Sequence, residues 1–183
     1  MDEFYEEVVI SGFGGQGIIL ASKMLAQAAV NSGRQVTLMP SYGAEVRGGT
    51  SNCTVIVSGE AIASPLPDSP TSLVIMNKAS LQKFGPRIRE GGLMVVNSSL
   101  IDSEPSAQNG VQIVKVPADD IACELGNPKT ANMVIMGSYL EKSGLLSPED
   151  AAAALGTVLA ERYHKLIPLN TSALKKGAEF ARS

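Results

Sequence analysis

The chain is poor in metal ligands, in long apolar runs and in excess positive charge, and each scarcity removes a class of function. Two cysteines, Cys53 and Cys123, and one histidine, His164, occur in 183 residues, and the cysteines stand far apart without CxxC spacing. Zinc and iron–sulfur sites need several thiolate or imidazole ligands at short spacing, so neither can be assembled here, and no metal ligand is assigned. Nowhere does an uninterrupted apolar stretch reach about 18 residues, the length a membrane-spanning helix requires. The opening MDEFYEE is acidic where a secretion signal starts basic. These features predict a soluble, cytoplasmic protein that engages no membrane. Lys and Arg together number 15 against 18 Asp and Glu, a formal charge of -3. That balance gives no footprint for nucleic acid, so any anion site must be local.

What is present points to a packed α/β domain. Apolar residues make up 44% and charged residues 18% of the chain, with no long polar run; such a composition supports a buried core. The length suits one domain, residues 1–183. Strands are expected at Glu7–Ser11, Gln35–Met39, Asn52–Ser58, Leu73–Met76, Gly92–Asn97 and Val111–Val116, from short apolar or alternating runs bounded by turn residues. Helical spacing marks Ile18–Val30, Lys78–Arg89 with a break at Gly85-Pro86, and then Ala118–Leu125, Ala131–Lys142, Pro148–Tyr163 and Thr171–Ala181. Strands alternating with helices imply a Rossmann-like, mostly parallel sheet flanked by helices, with a helical C-terminal third.

Two motifs carry chemical information. Gly12, Gly14 and Gly17 form GxGxxG, with Gly15 and Gln16 between them, after a strand and before a helix. There the free backbone N–H groups and the helix dipole favour a phosphate or carboxylate. The same glycines also serve a tight turn and close packing, which is the alternative reading. Dinucleotide binding expects an acidic residue at the end of the second strand, about 20 residues on. That strand ends instead in Leu38-Met39-Pro40-Ser41, and Glu45 lies beyond it in the next loop. A free-standing NAD(P)-binding oxidoreductase is therefore the runner-up. The second motif is the loop Pro40 to Ser51, which contains Ser41, Tyr42, Arg47, Gly48 and Gly49. An arginine followed by two glycines can present its planar donors to an anion without crowding; a surface pair with Glu45 is the alternative. Cys53 and Cys123 read as small packing residues, His164 as a solvated or capping residue, and Asn132 as a helix cap with a ligand contact as the second option. No residue is assigned a catalytic role.

The segments GFGGQG, PSYGAEVRGGTSNCTVIVS and MNKASLQKF resemble the gamma subunit of the pyruvate and 2-oxoacid:ferredoxin oxidoreductases. So do Ile62-Ala63-Ser64-Pro65, GLMVVNSS from Gly92, and Gly126 to Asn132 leading into an apolar helix. The resemblance implies a multisubunit enzyme that oxidatively decarboxylates a 2-oxoacid to an acyl-CoA and passes electrons to ferredoxin. It implies alpha and beta partners and a ferredoxin-like delta partner, with thiamine diphosphate, Mg and iron–sulfur clusters held by those other subunits. It places coenzyme A and the 2-oxoacid near this subunit, which binds no cofactor alone and is inactive in isolation. The pattern is nearest to the 2-oxoglutarate branch, with the indolepyruvate oxidoreductase beta subunit as a similar alternative. Under this reading Gly12, Gly14, Gly15, Gln16, Gly17, Ser41, Arg47, Gly48, Gly49 and Asn132 are the candidate cofactor-binding residues, and isolated chains can self-associate through exposed interface surface.

Overall fold

The strand that opens the chain, β1 (Tyr5–Phe13), sends Val8 and Ile10 to one face and Val9 to the other, and all three are buried. It is the third strand across a six-stranded sheet. The computed structural model describes residues 4–42, 50–105 and 109–183, with the backbone alone for Tyr42. The other strands are β2 (Gln35–Tyr42), β3 (Thr50–Ser58), β4 (Ser72–Ile75), β5 (Leu93–Asn97) and β6 (Gln112–Val116), in the order β2-β3-β1-β4-β5-β6. The helices are α1 (Ile18–Asn31), α2 (Lys78–Phe84), α3 (Ala118–Glu124), α4 (Ala131–Ser143), α5 (Pro148–Val158) and α6 (Ile167–Arg182), with short 3-10 turns at Gly85–Arg87, Pro128–Thr130 and Glu161–Leu166.

Strands β1, β4, β5 and β6 run parallel, while β3 is antiparallel to both β1 and β2. The sheet is therefore mostly parallel with a hairpin on one edge, and β2 is separated from β1 by β3. Both β2 and β3 extend further than the residue pattern suggests. Pro40, Ser41 and Tyr42 continue β2 in register with Cys53, Asn52 and Ser51. A proline is tolerated there because β2 is an edge strand, where one row of N–H groups needs no partner. Residues 43–49 lie outside the described part. The strand that follows them, β3, begins beside the end of β1, since Thr50 pairs with Phe13 and Ser51 with Gly12.

One face of the sheet carries most of the core. Helix α1 packs Ala21, Met24, Leu25 and Ala28 against Val55 and Val57, and α4 is buried from Ala131 through Leu140 beneath α5 and α6. The α4–α6 crossing is close enough to exclude a methyl group. A Cβ on Gly137 would fall 1.9 Å from the Leu174 carbonyl oxygen, and one on Gly177 would fall 1.8 Å from that of Val134. Ser138 Oγ donates to the Gly177 carbonyl across the same contact at 2.7 Å. The other face is covered by α2 and its flanking segments, with Leu81, Phe84 and Ile88 packed on Leu73, Ile75 and Met94.

The helix expected over Pro148–Tyr163 stops at Val158, where Leu159 turns extended. The last helix starts at Ile167, ahead of the expected Thr171, because Pro168 sits in its first turn, where a missing N–H costs nothing. Among the described residues no helix is long and apolar enough to cross a membrane.

Candidate functional site

The parallel strands all finish at one end of the sheet, and the glycine turn after β1 sits there. Gly12 is buried inside β1, and a Cβ on it would meet Gln16 Oε1 at 2.5 Å, Met76 Cβ at 2.8 Å and Ile18 Cδ1 at 2.9 Å. Close packing explains this glycine. Gly14 and Gly15 are different, since a Cβ on either would meet nothing within 4 Å, and Gly15 adopts φ +99°. The outer side of the turn is open. Gly17 has φ +75° and caps α1 through its backbone, with Asn132 Nδ2 2.3 Å from where its Cβ would stand.

Two side chains fix the turn. Gln16 folds inward, so that its Oε1 accepts from the Phe13 N–H at 2.6 Å while its amide lies 3.5 Å from the Met76 carbonyl. Asn132, 3% exposed, donates from Nδ2 to the Gly17 carbonyl at 3.1 Å and accepts the Met133 N–H at 2.9 Å. Asn132 therefore lies inside the first turn of α4 and ties the start of that helix to the start of α1. It does not hold the cap position, which Thr130 occupies.

The result is a cleft of about 170 Å³ lined by Gly15, Gln16, Met76, Asp119, Lys129 and Asn132, together with Pro128 and Ala131. Helices α1 and α4 both begin at its wall, and the positive ends of their dipoles favour an anion. Lys129 adds a full positive charge. Asp119 opposes it in part, but its Oδ2 accepts from Asn97 Nδ2 at 2.5 Å at the end of β5. Asp119 and Lys129 were not foreseen as site residues, because each lies more than a hundred residues from the glycine turn, and although Lys129 falls within the Gly126 to Asn132 segment, nothing in the sequence brings that segment to the turn.

A family model described as pyruvate ferredoxin/flavodoxin oxidoreductase matches residues 7–180. The chain belongs to this family. Ketoisovalerate oxidoreductase subunit VorA of Methanothermobacter marburgensis is 38% identical over 98% of the chain, which spans 37% of that longer relative. The 2-oxoglutarate synthase subunit KorC of Methanocaldococcus jannaschii is 32% identical over 97% of the chain and 94% of its own length. Among solved structures, the keto/oxoacid ferredoxin oxidoreductase gamma subunit of Geobacter sulfurreducens superposes with TM-score 0.81 at 30% identity, covering 97% of this chain and 98% of that one. The Rossmann-like, mostly parallel architecture is thus the architecture of an oxidoreductase gamma subunit.

Within this gamma-type chain the expected site residues divide. Gly15, Gln16 and Asn132 line the cleft, Gly14 opens outward beside it, and Gly12 and Gly17 shape it from behind. Ser41 is not brought to them. It projects from β2 into a separate groove on the face that carries α2, with Asn52 and Thr54. Arg47, Gly48 and Gly49 lie outside the described residues. The NAD(P) alternative loses its frame as well: because β3 lies between β1 and β2, the end of the second strand is not the neighbouring strand end at which a dinucleotide ribose is held. Cys53 is fully buried, and burial pushes its thiol above the ordinary value, as expected of a packing residue. His164 is exposed, with its Nε2 3.0 Å from the Leu159 carbonyl oxygen where α5 ends.

Proposed function

We propose that this chain is the gamma-type subunit, acting as one unit over residues 1–183, of a cytoplasmic, coenzyme A-dependent 2-oxoacid:ferredoxin oxidoreductase that converts a 2-oxoacid to an acyl-CoA. The observation that carries the reading is the open outer side of Gly14 and Gly15 at a cleft into which two helix N-termini and Lys129 converge. A phosphate group of coenzyme A fits that donor set, which has the backbone N–H groups at the start of α1, apart from that of Gln16, which donates to the Phe13 carbonyl at 3.2 Å, and an ammonium at Lys129. Coenzyme A supplies the thiol that takes the acyl group. This chain's residues hold and orient its anionic end, and Gln16 and Asn132 keep the turn in the shape that does so. Arg47 adds a charged fork to the same anion under this reading. Thiamine diphosphate, Mg and the iron–sulfur clusters are assigned to alpha, beta and ferredoxin-like delta subunits, with ferredoxin as acceptor.

Lys129→Ala tests the role of the cleft in the assembled enzyme. Its expected effect is a rise of about tenfold in the KM for coenzyme A, corresponding to one lost charge-assisted contact, with kcat and subunit composition unchanged. An unaltered KM in a complete complex contradicts the anion role. For the acid itself, KorC relatives that match the chain end to end support 2-oxoglutarate, while the higher identity to VorA favours ketoisovalerate as a second reading.

A further inference from the structure

The face that carries α2 covers the sheet unevenly, and over β2, β3 and β1 it leaves a groove of about 490 Å³. Its floor is polar where a sheet face is ordinarily apolar. Asn52 is 8% exposed and Thr54 7% exposed, both line the groove, and no hydrogen bond joins either side chain to another described residue. The register places Asn52 between Ser41 and Ser11, and Thr54 between Met39 and Val9. The rim is apolar, with Met39 39% and Leu66 62% exposed. One wall is cationic. Lys83 stands 5.1 Å from the centroid of the Phe84 ring, and Arg87 donates from Nη2 to the Pro67 carbonyl at 3.1 Å. Among the described residues neither cation forms an ion pair, and Asp68 is the one carboxylate in the lining.

We propose that this groove is the docking site for an extended, acidic segment of a partner subunit, with its carboxylate between Lys83 and Arg87 and its backbone over Asn52 and Thr54. An amide and a hydroxyl that are nine-tenths buried offer both donors and acceptors, which match peptide groups. Burying them against an apolar partner would cost about 1 to 3 kcal/mol each. Exposed Met39 and Leu66 supply contact for the apolar side chains flanking the carboxylate. Lys83 and Arg87, without an ion pair among the described residues, select an acidic segment and reject a basic one. This inference rests on the reading of the chain as a subunit of a larger enzyme, and it adds which face docks and what chemistry is received.

The test uses the complex purified from its own host through a tag on this chain. A photo-crosslinking residue is placed at Met39 or Leu66, with Val30, exposed on α1 at the opposite face, as reference. The expected product is a link from Met39 and Leu66 to another polypeptide, within a few residues of an Asp or Glu. The paired substitution Lys83→Glu with Arg87→Glu is expected to lower recovery of that polypeptide at least tenfold, and Lys83→Glu alone, which leaves the Arg87–Pro67 bond in place, is expected to lower it severalfold with the thermal melt of the chain unchanged. Links that land on the same chain, on a second copy or on a basic segment overturn the proposal and leave the subunit reading standing. So does a partner recovered in full with the double variant. If no other polypeptide co-purifies, both fall.

Discussion

Cys53 and Cys123 show how differently two copies of one residue type behave in this fold. Cys53 is sealed in the core beside Val55 and Val57, and burial holds its thiol protonated. Cys123 is exposed on α3. A thiol reagent at neutral pH is therefore expected to label one cysteine per folded chain, with mass mapping to Cys123, and two only after denaturation; rapid native labelling at Cys53 would contradict the packing described. Glu7 makes a second residue-level prediction. Partial burial raises its carboxyl above the ordinary range, with Arg89 opposing and Glu6 reinforcing the shift. A raised folded-state value means that its contribution to stability is fully present below the unfolded value of about 4.3 and is lost as pH rises through the folded one. Glu7→Gln is accordingly expected to melt at higher temperature than the parent at pH 7 and at an equal temperature near pH 4. An unchanged or lower Tm at pH 7 would refute it.

Among the elements, α4 is the one the rest depend on. It runs buried beneath α5 and α6, and its backbone touches α6 where Gly137 and Gly177 remove the side chains that would hold the helices apart. Gly137→Ala or Gly177→Ala places a methyl group against a carbonyl oxygen, and each is expected to cost about 3 kcal/mol, measurable by urea unfolding. A cost below about 1 kcal/mol would mean that the helices move apart freely. This contact was not legible in the sequence, because two glycines inside helical patterns 40 residues apart give no sign that they face each other. The β1–turn–α1 unit was legible, since the apolar run, the glycines and the helical stripe agree. The β2–β3 hairpin was not, because alternation in Cys53, Val55 and Val57 reads the same for either strand direction. Helix ends at Val158 and Ile167 were also missed, since Leu159 to Leu166 keeps a composition that a helix accepts while its backbone turns extended and then tightens to a 3-10 turn. Of the site, the glycine turn was visible as a motif and Asn132 as a polar residue at a helix start. Their bond to each other, and the approach of Lys129 and Asp119, are products of tertiary folding.

At the scale of the whole molecule, the sheet presents two different working surfaces. The ends of the parallel strands carry the cleft between the starts of α1 and α4 that we propose takes an anion, and the face beneath α2 carries the polar groove with its cationic wall. Under the proposed function, a chain that held a phosphate-bearing cofactor at one surface and a partner at the other would contribute position and charge to chemistry performed elsewhere in the assembly. The most direct measurement is affinity purification of the tagged chain from its own host, followed by a coenzyme A-dependent 2-oxoacid oxidation assay on the eluate with 2-oxoglutarate, 2-oxoisovalerate, pyruvate and indolepyruvate. The expected result is co-elution of thiamine-binding and iron–sulfur subunits, with acceptor reduction that requires coenzyme A and one of these acids. A chain that elutes alone, or an eluate that oxidises none of them, would contradict it.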